Sequence, residues 1–387
     1  MPLDIAIVGA GILGLAHAWT AARRGHRVTV FERDRHAAGA SIRNFGMVWP
    51  IGQPAGEWHA IALASRERWL ELGAAGAVWL KPCGSIHLAH RRDEWDVLEE
   101  FHARSAELGY ECSLLTADEV LARSAAAKRE GLLGGLLSPA ELCVNPRQVT
   151  RTLPRWLNEQ YDVRFCFETA VQNIEPLAHS RLQLTTDSET HAPFDRVIVC
   201  GGTDCRLLFP QLFADAKLPL CKLQMLKTIA QPAGWRLGPH LASGLTLRHY
   251  RNFEICRSLA ALKERVAAET PELDRYGIHV MASQNDAGEV ILGDSHEYDA
   301  EAEPFDKPLI DNLILRELQK IMHLPDWTIA ERWHGFYVKN PAAPIFEAEP
   351  LAGVHVSTGL GGSGMTMSFG LAQRAWQTWS NEPGESE

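Results

Sequence analysis

The chain has 387 residues, 46% of them apolar, with 38 Lys and Arg against 48 Asp and Glu. A formal net charge of -10 argues against a nucleic-acid partner, because phosphate binding needs a basic surface. No stretch reaches about 18 consecutive apolar residues, which argues against a membrane span, and roughly 150 residues per domain gives two to three domains.

In chain order, Leu3–Val8 reads as a short buried strand, Ile12–Arg24 as a helix and Val28–Glu32 as a second strand rich in β-branched and aromatic residues. That is a βαβ unit of about 30 residues, whose natural setting is a parallel sheet. Pro54–Gly73 reads as a helix, Ser85–His90 as a strand and Asp93–Leu108 as an amphipathic helix. Pro146 opens a further helix reaching about Gln160. Strands are expected near Val163–Phe167, Leu182–Thr186 and Phe194–Cys200. Beyond these, Leu245–Tyr250, Ile278–Met281 and Glu289–Leu292 read as strands, with helices over Ser258–Glu269 and Pro308–Met322. Gly353–Thr358 is a last strand, Met365–Trp379 a closing helix, and Asn381–Glu387 a disordered tail.

Eight cysteines are scattered without a C-x-x-C pair, so they are expected to be reduced thiols, mostly buried. Asp4 precedes the apolar N-terminal stretch, no Lys or Arg does, and glycines interrupt it. That is not the pattern of a signal peptide, and a cytoplasmic location is expected.

Two glycine clusters carry the chemistry. Gly9-Ala-Gly11-Ile12-Leu13-Gly14 follows a strand and opens a helix, the context of a dinucleotide-binding turn. Gly9 permits the tight turn and Gly11 the approach of a pyrophosphate. Gly14 lets helix and strand pack closely, and Glu32 ends the second strand where a ribose diol would lie. The motif alone does not separate FAD from NAD. Gly359-Leu360-Gly361-Gly362-Ser363-Gly364 repeats the pattern, but only 23 residues follow Gly364, too few for a second nucleotide unit. Its N–H groups and positive helix end suit anionic charge near Met365 and Thr366, such as the N1/C2 edge of a reduced flavin.

With four landmarks in order, the chain resembles the D-amino-acid oxidase superfamily of FAD-dependent amine oxidoreductases, which includes glycine and sarcosine oxidases. The landmarks are Gly9–Glu32, the loop Gly39–Gly46, the mid-chain Asn145-Pro146 helix with Thr169-Ala-Val171 and Val197–Gly202, and Gly361–Thr366. The resemblance implies an α/β fold, in which a Rossmann-type FAD-binding domain is interleaved with an α+β substrate domain built on a mostly antiparallel sheet. Residues 1–80, 143–205 and 331–387 would form the first domain, and 81–142 and 206–330 the second.

Carried over by motif, Gly9, Gly11, Ile12 and Leu13 would meet the pyrophosphate, Glu32 the ribose and Arg33 the adenine. Ser41, Asn44, Phe45, Gly46 and Met47 would line the path to the flavin, and Val171 would touch adenine through its backbone. Cys200, Gly201 and Gly202 would pack on the ADP part, while Leu360, Gly361, Gly362, Ser363, Gly364, Met365 and Thr366 would cover the pyrimidine edge. Sarcosine oxidases attach their flavin through a cysteine where this chain has Gly335, so non-covalent FAD is expected. The lysine that those enzymes place in the C-terminal helix is matched here by Ser368.

The family's chemistry is hydride transfer from an amine carbon to flavin N5, giving an imine that water hydrolyses. An anionic amine calls for Arg, Lys or Tyr above the ring. If Leu245–Tyr250 is a strand, Arg248 and Tyr250 share a face; Tyr337 and Lys339 share another, and Trp49 stands beyond the flavin loop. The sixteen histidines form no H-E-x-x-H or H-x-x-E-H motif, and no metal is expected. Gly359–Gly370 with Arg332–Tyr337 also resembles a subgroup associated with phosphonate catabolism, which implies an aminophosphonate substrate, with or without an N-methyl group, held by Arg248 and Lys339. Glycine, sarcosine or a D-amino acid is the alternative substrate. An NAD-dependent dehydrogenase and a non-catalytic flavin-binding module are the competing classes. The electron acceptor, any general base and the oligomeric state stay open.

Overall fold

The computed structural model describes residues 1–299 and 302–380, so the expected disordered tail Asn381–Glu387 lies outside the described residues. The expected βαβ unit is present as β1 (Asp4–Val8), α1 (Ile12–Arg23) and β2 (Arg27–Phe31). Ile5, Ala6 and Ile7 are fully buried, as suits a parallel strand covered on both faces. Two glycines make the β1–α1 turn possible. Gly9 has φ +101°, and a Cβ there would meet the Cys200 carbonyl oxygen at 2.7 Å; a Cβ on Gly14 would strike the Gly9 carbonyl oxygen at 1.9 Å.

β1 and β2 lie inside a six-stranded sheet, in the order Phe346–Leu351, Val354–Thr358, Arg196–Val199, β1, β2, Arg164–Cys166. All its pairings are parallel except the outermost one, between Phe346–Leu351 and Val354–Thr358. The closing helix Gly364–Ser380 packs on α1, where Trp19 meets Phe369 edge to face at 5.5 Å. The Pro146–Tyr161 helix starts on Pro146, with the Asn145 side chain accepting from the Gln148 N–H as its cap.

A second, nine-stranded sheet is antiparallel apart from one parallel pair, Ser85–Ala89 with His240–Ala242. Its longest ladder joins Leu220–Ala230 to Ile329–Val338, with Leu220 opposite Val338, Cys221 opposite Tyr337 and Leu223 opposite Gly335. The expected domain boundary at 331 falls within this strand. Together the sheets and helices make the mixed α/β fold that the sequence pattern implies.

Three strand expectations need correction. Leu245–Tyr250 is not a strand: Gly244–Arg248 is a turn of 3-10 helix, with the Thr246 N–H bonded to the Ser243 carbonyl and the His249 N–H to that of Thr246. The cause is packing, because a Cβ at Gly244 would lie 2.2 Å from the Glu94 carboxyl carbon, and the chain folds tightly there. Arg248 and Tyr250 therefore do not sit on one face of a strand. The run Phe194–Cys200 is divided at Asp195 between the strands Thr190–Phe194 and Arg196–Val199. Last, the expected Ile278–Met281 strand is shifted, running Met281–Gln284.

Candidate active site

A cavity of about 810 Å³ joins the two glycine clusters. It opens at the C-terminal end of β1, where α1 has no side-chain cap; the Ile12 N–H donates to Ser41 Oγ at 2.9 Å. This is the crevice where parallel α/β sheets hold their ligands. Gly9, Gly11, Ile12 and Leu13 line the near wall, with Glu32 and Arg33 at the end of β2. Glu32 is 8% exposed and already accepts from the Ala10 N–H at 2.9 Å and the Asp34 N–H at 3.1 Å. Arg33 reaches Asp204 across the opening at 3.0 Å.

Val171, Cys200, Gly201 and Gly202 form the next stretch of wall, and Ser41 and Asn44 face them from the Gly39–Gly46 loop. The far end is bounded by Leu360, Gly361, Gly362, Gly364 and Met365, and by Gly335 and Tyr337 of the long ladder. There the Tyr337 hydroxyl is 4.0 Å from where a Cβ on Gly362 would stand. Burial pushes the Tyr337 phenol well above its ordinary value, reinforced by Cys221 and Tyr298, so it stays a neutral hydrogen-bonding hydroxyl.

Other expected residues lie outside this lining. Phe45 packs toward Gly293, Gly46 sits under the Val144 carbonyl, and Met47 pairs with Cys143 in a short strand. Ser363 Oγ accepts from Gln53, and Thr366 Oγ1 from the Trp49 N–H at 2.9 Å. Trp49 is buried among His87, His240 and Tyr250, stacked on the last at 6.2 Å. The Tyr250 hydroxyl points at the Met281 sulfur, 3.7 Å away. Arg248 is committed to Asp274 and, at 3.2 Å, to the Ile278 carbonyl. Lys339 stands just past the cavity wall, its Nζ 3.3 Å from the Tyr298 hydroxyl.

Arg43, Thr169 and Cys205 are among the lining groups that the sequence reading did not assign to the site. Arg43 lines the cavity and donates to the His334 carbonyl at 3.3 Å; its signal was being the one charged residue between Gly39 and Gly46. Thr169 and Cys205 complete the wall beside Val171 and Cys200. Burial pushes the Cys205 thiol up to about 12 and Cys200 well above its usual value, so neither is a thiolate nucleophile.

Behind Tyr337, His249, His279 and His296 cluster, with Asp294 beside the last two. Burial lowers His249 and His279 well below the usual imidazole value and takes His296 to about 4; the charge of Lys339 acts in the same sense on all three. Burial also raises Asp294 well above the ordinary carboxylate range. No sequence motif brings these residues together, because they come from three separate stretches.

The residues present fit an extended dinucleotide. There is a helix N-terminus behind a left-handed glycine, its Ile12 N–H on Ser41 Oγ, with a carboxylate at the end of the second strand and a second glycine turn at the far end. A family model described as DAO, FAD dependent oxidoreductase, matches residues 4–377. The glycine oxidase of Geobacillus kaustophilus (strain HTA426) is 29% identical over 146 residues, which covers 36% of this chain and 39% of that enzyme. The match thus spans about two fifths of the length of that relative. Among solved structures, glycine oxidase from Bacillus cereus ATCC 14579 superposes with a TM-score of 0.75 at 16% identity, covering 96% of this chain and 95% of that one. Iminodiacetate oxidase from Chelativorans sp. BNC1 gives 0.71 at 19% identity, covering 99% and 97%. At such identities the structures show a shared fold. Among the described residues, no helix is long and apolar enough to cross a membrane.

Proposed function

We propose that this chain, which belongs to the DAO family of FAD-dependent oxidoreductases, oxidises a small anionic amine. The observation that carries the reading is the cavity itself. It runs from the Gly9–Gly14 turn to Gly361 and Gly362, and ends against Tyr337 with Lys339 beyond. When bound, FAD supplies a two-electron acceptor for the hydride that leaves the amine carbon.

The chain's own part is to orient the amine and hold its anionic end. The Tyr337 hydroxyl offers a neutral donor at the mouth of the glycine turn, and Lys339 a cation two residues further on, just past the strand end. Losing the hydride with its electron pair, and the N–H proton to solvent, leaves a C=N bond. Water then adds, giving a carbonyl product and a free amine. Binding as the deprotonated amine removes the need for a dedicated base.

The finer reading is an aminophosphonate, with or without an N-methyl group. It is supported by the Gly359–Gly370 and Arg332–Tyr337 resemblance. Glycine, sarcosine or a D-amino acid is the second reading, favoured by the identity to a glycine oxidase. We read the FAD as non-covalent, since Gly335 brings no nucleophile to the wall and burial keeps Cys200 and Cys205 protonated.

Anaerobic mixing of the purified flavoprotein with glycine, sarcosine, D-alanine, 2-aminoethylphosphonate and its N-methyl derivative tests both. Bleaching of the flavin by the phosphonates alone supports the finer reading, and bleaching by an amino acid alone overturns it. A yellow protein that no amine bleaches overturns the amine assignment.

A further inference from the structure

His249, His279 and His296 come together from a 3-10 turn and two strand approaches, and one ring nitrogen of each lies within 4.8 Å of the others. Asp294 flanks two of the three, with Oδ1 3.3 Å from His279 Nε2 and Oδ2 3.7 Å from His296 Nε2. His279 is 3% exposed and Asp294 6%, yet neither ring nitrogen of His279 has a hydrogen-bond partner, nor does Asp294 Oδ1. Buried polar atoms are rarely left in that state.

The tautomer sharpens the point. His296 Nδ1 is 3.2 Å from the Gly277 carbonyl oxygen, which can only accept, so in the neutral ring Nδ1 carries the hydrogen. The Nε2 lone pair then faces Asp294 Oδ2 at 3.7 Å, beyond hydrogen-bond distance. A carbonyl fixing one imidazole nitrogen while the other is presented inward is the usual arrangement behind a metal-binding histidine.

We propose that His249, His279, His296 and Asp294 bind a divalent first-row transition metal, zinc by preference, and that this ion receives the anionic end of the amine beside Tyr337. Three imidazoles and a carboxylate match the donor preferences of zinc, which also tolerates a fifth ligand. Ligand atoms about 2.0–2.1 Å from a tetrahedral ion stand roughly 3.4 Å apart. The ring nitrogens, now within 4.8 Å of one another, would close to that size as the ion binds. The His296 ring is 6.3 Å from that of Tyr337, which lines the cavity. With Arg248 held by Asp274, the ion supplies the second positive centre that a dianion needs besides Lys339. This last role rests on the proposed function; the metal site does not.

The test uses the FAD-loaded protein after dialysis against a chelator. Zinc titration by calorimetry is expected to show one equivalent bound at submicromolar Kd, weakened at least 100-fold by His279→Gln and by His296→Gln while the flavin content holds. X-ray absorption on the unsubstituted zinc protein is expected to show nitrogen-rich coordination at about 2.0–2.1 Å. Absence of saturable zinc uptake, or coordination lacking imidazole, overturns the site and leaves a cluster of packed neutral histidines. Methylphosphonate is the probe for the anion: its Kd is expected to fall at least tenfold when zinc is present. A Kd independent of zinc overturns the anion-binding role. Failure of every amine to bleach the flavin with zinc bound would count against the proposed function, not the site.

Discussion

Arg248 and Asp274 form an ion pair, with the Arg248 side chain 12% exposed and its second guanidinium nitrogen on the Ile278 carbonyl. A guanidinium so engaged holds the turn before His249 against the Pro271–Arg275 helix. Arg248→Gln is therefore expected to lower stability by about 1–3 kcal/mol, the range for hydrogen bonds to charged groups. The amine KM should change less than about twofold, while Lys339→Met raises it about tenfold or more, one lost contact of about 1.4 kcal/mol. Denaturation curves and steady-state kinetics on the two variants separate the roles; a KM rise confined to Arg248→Gln reverses them.

Gly9→Ala places a methyl 2.7 Å from the Cys200 carbonyl oxygen at a φ of +101°. The strain, on the order of 1–2 kcal/mol, falls on the turn that meets the pyrophosphate. The protein should purify with FAD occupancy reduced about tenfold at limiting FAD, since 1.4 kcal/mol is tenfold in affinity. The ratio of flavin to protein absorbance reads this directly.

Tyr337→Phe keeps the ring that packs on Gly361 and removes only the hydroxyl. One hydrogen bond to the reacting amine is worth about 1 kcal/mol, so kcat/KM should fall roughly five- to tenfold. The flavin spectrum of the free enzyme should be unchanged, and a shifted spectrum would place the hydroxyl on the cofactor instead.

Acid should destabilise the fold partly through His87, which is fully buried with neither ring nitrogen bonded. Burial lowers its value from 6.5 to about 3. Below 6.5 the unfolded chain therefore takes up a proton that the folded chain refuses. Stability that is complete above 6.5 is lost as the pH falls toward 3, at about 1.4 kcal/mol per pH unit. His17 and His240, lowered to about 3 and about 4 by burial, act in the same sense. Glu141, raised by burial, opposes them, since its contribution declines as pH rises above the ordinary carboxylate value. His87→Leu should flatten the pH dependence of the urea midpoint by about one proton between pH 6 and 4.

Heat or acid precipitation should release intact FAD into the supernatant. Cys200 and Cys205, the thiols on the cavity wall, are held protonated by burial, and Gly335 has no side chain to bond. A yellow pellet, or a flavin-bearing peptide on mass analysis, would show a covalent link.

The sequence disclosed most where the chemistry is local. Gly9, Gly11, Gly14 and Glu32 lie within one βαβ unit, and their spacing alone predicts a turn that the structure contains. The second glycine cluster was equally legible, as a strand running into a helix. Leu245–Tyr250 was misread because its alternation suits a strand, whereas the deciding contact, Gly244 against Glu94, joins residues 150 positions apart. The histidine cluster was hidden for the same reason, as no motif links positions 249, 279 and 296. Phe45, Gly46 and Met47 show the reverse limit. Their loop was found, but which side of it faces the cavity depends on pairing with Cys143 and the approach of Val144.

The Ile329–Val338 strand has a mechanical consequence. It is hydrogen-bonded along its length into the larger sheet, and just past its end Asn340 donates to the Gly359 carbonyl at 3.0 Å, tying it to the turn that closes the cavity. A clamshell motion separating the two sheets would have to tear that seam. Traffic of small molecules in and out is thereby left to rearrangement of shorter loops, such as Gly39–Gly46, and turnover should tolerate a crosslink between the sheets better than one that pins a loop.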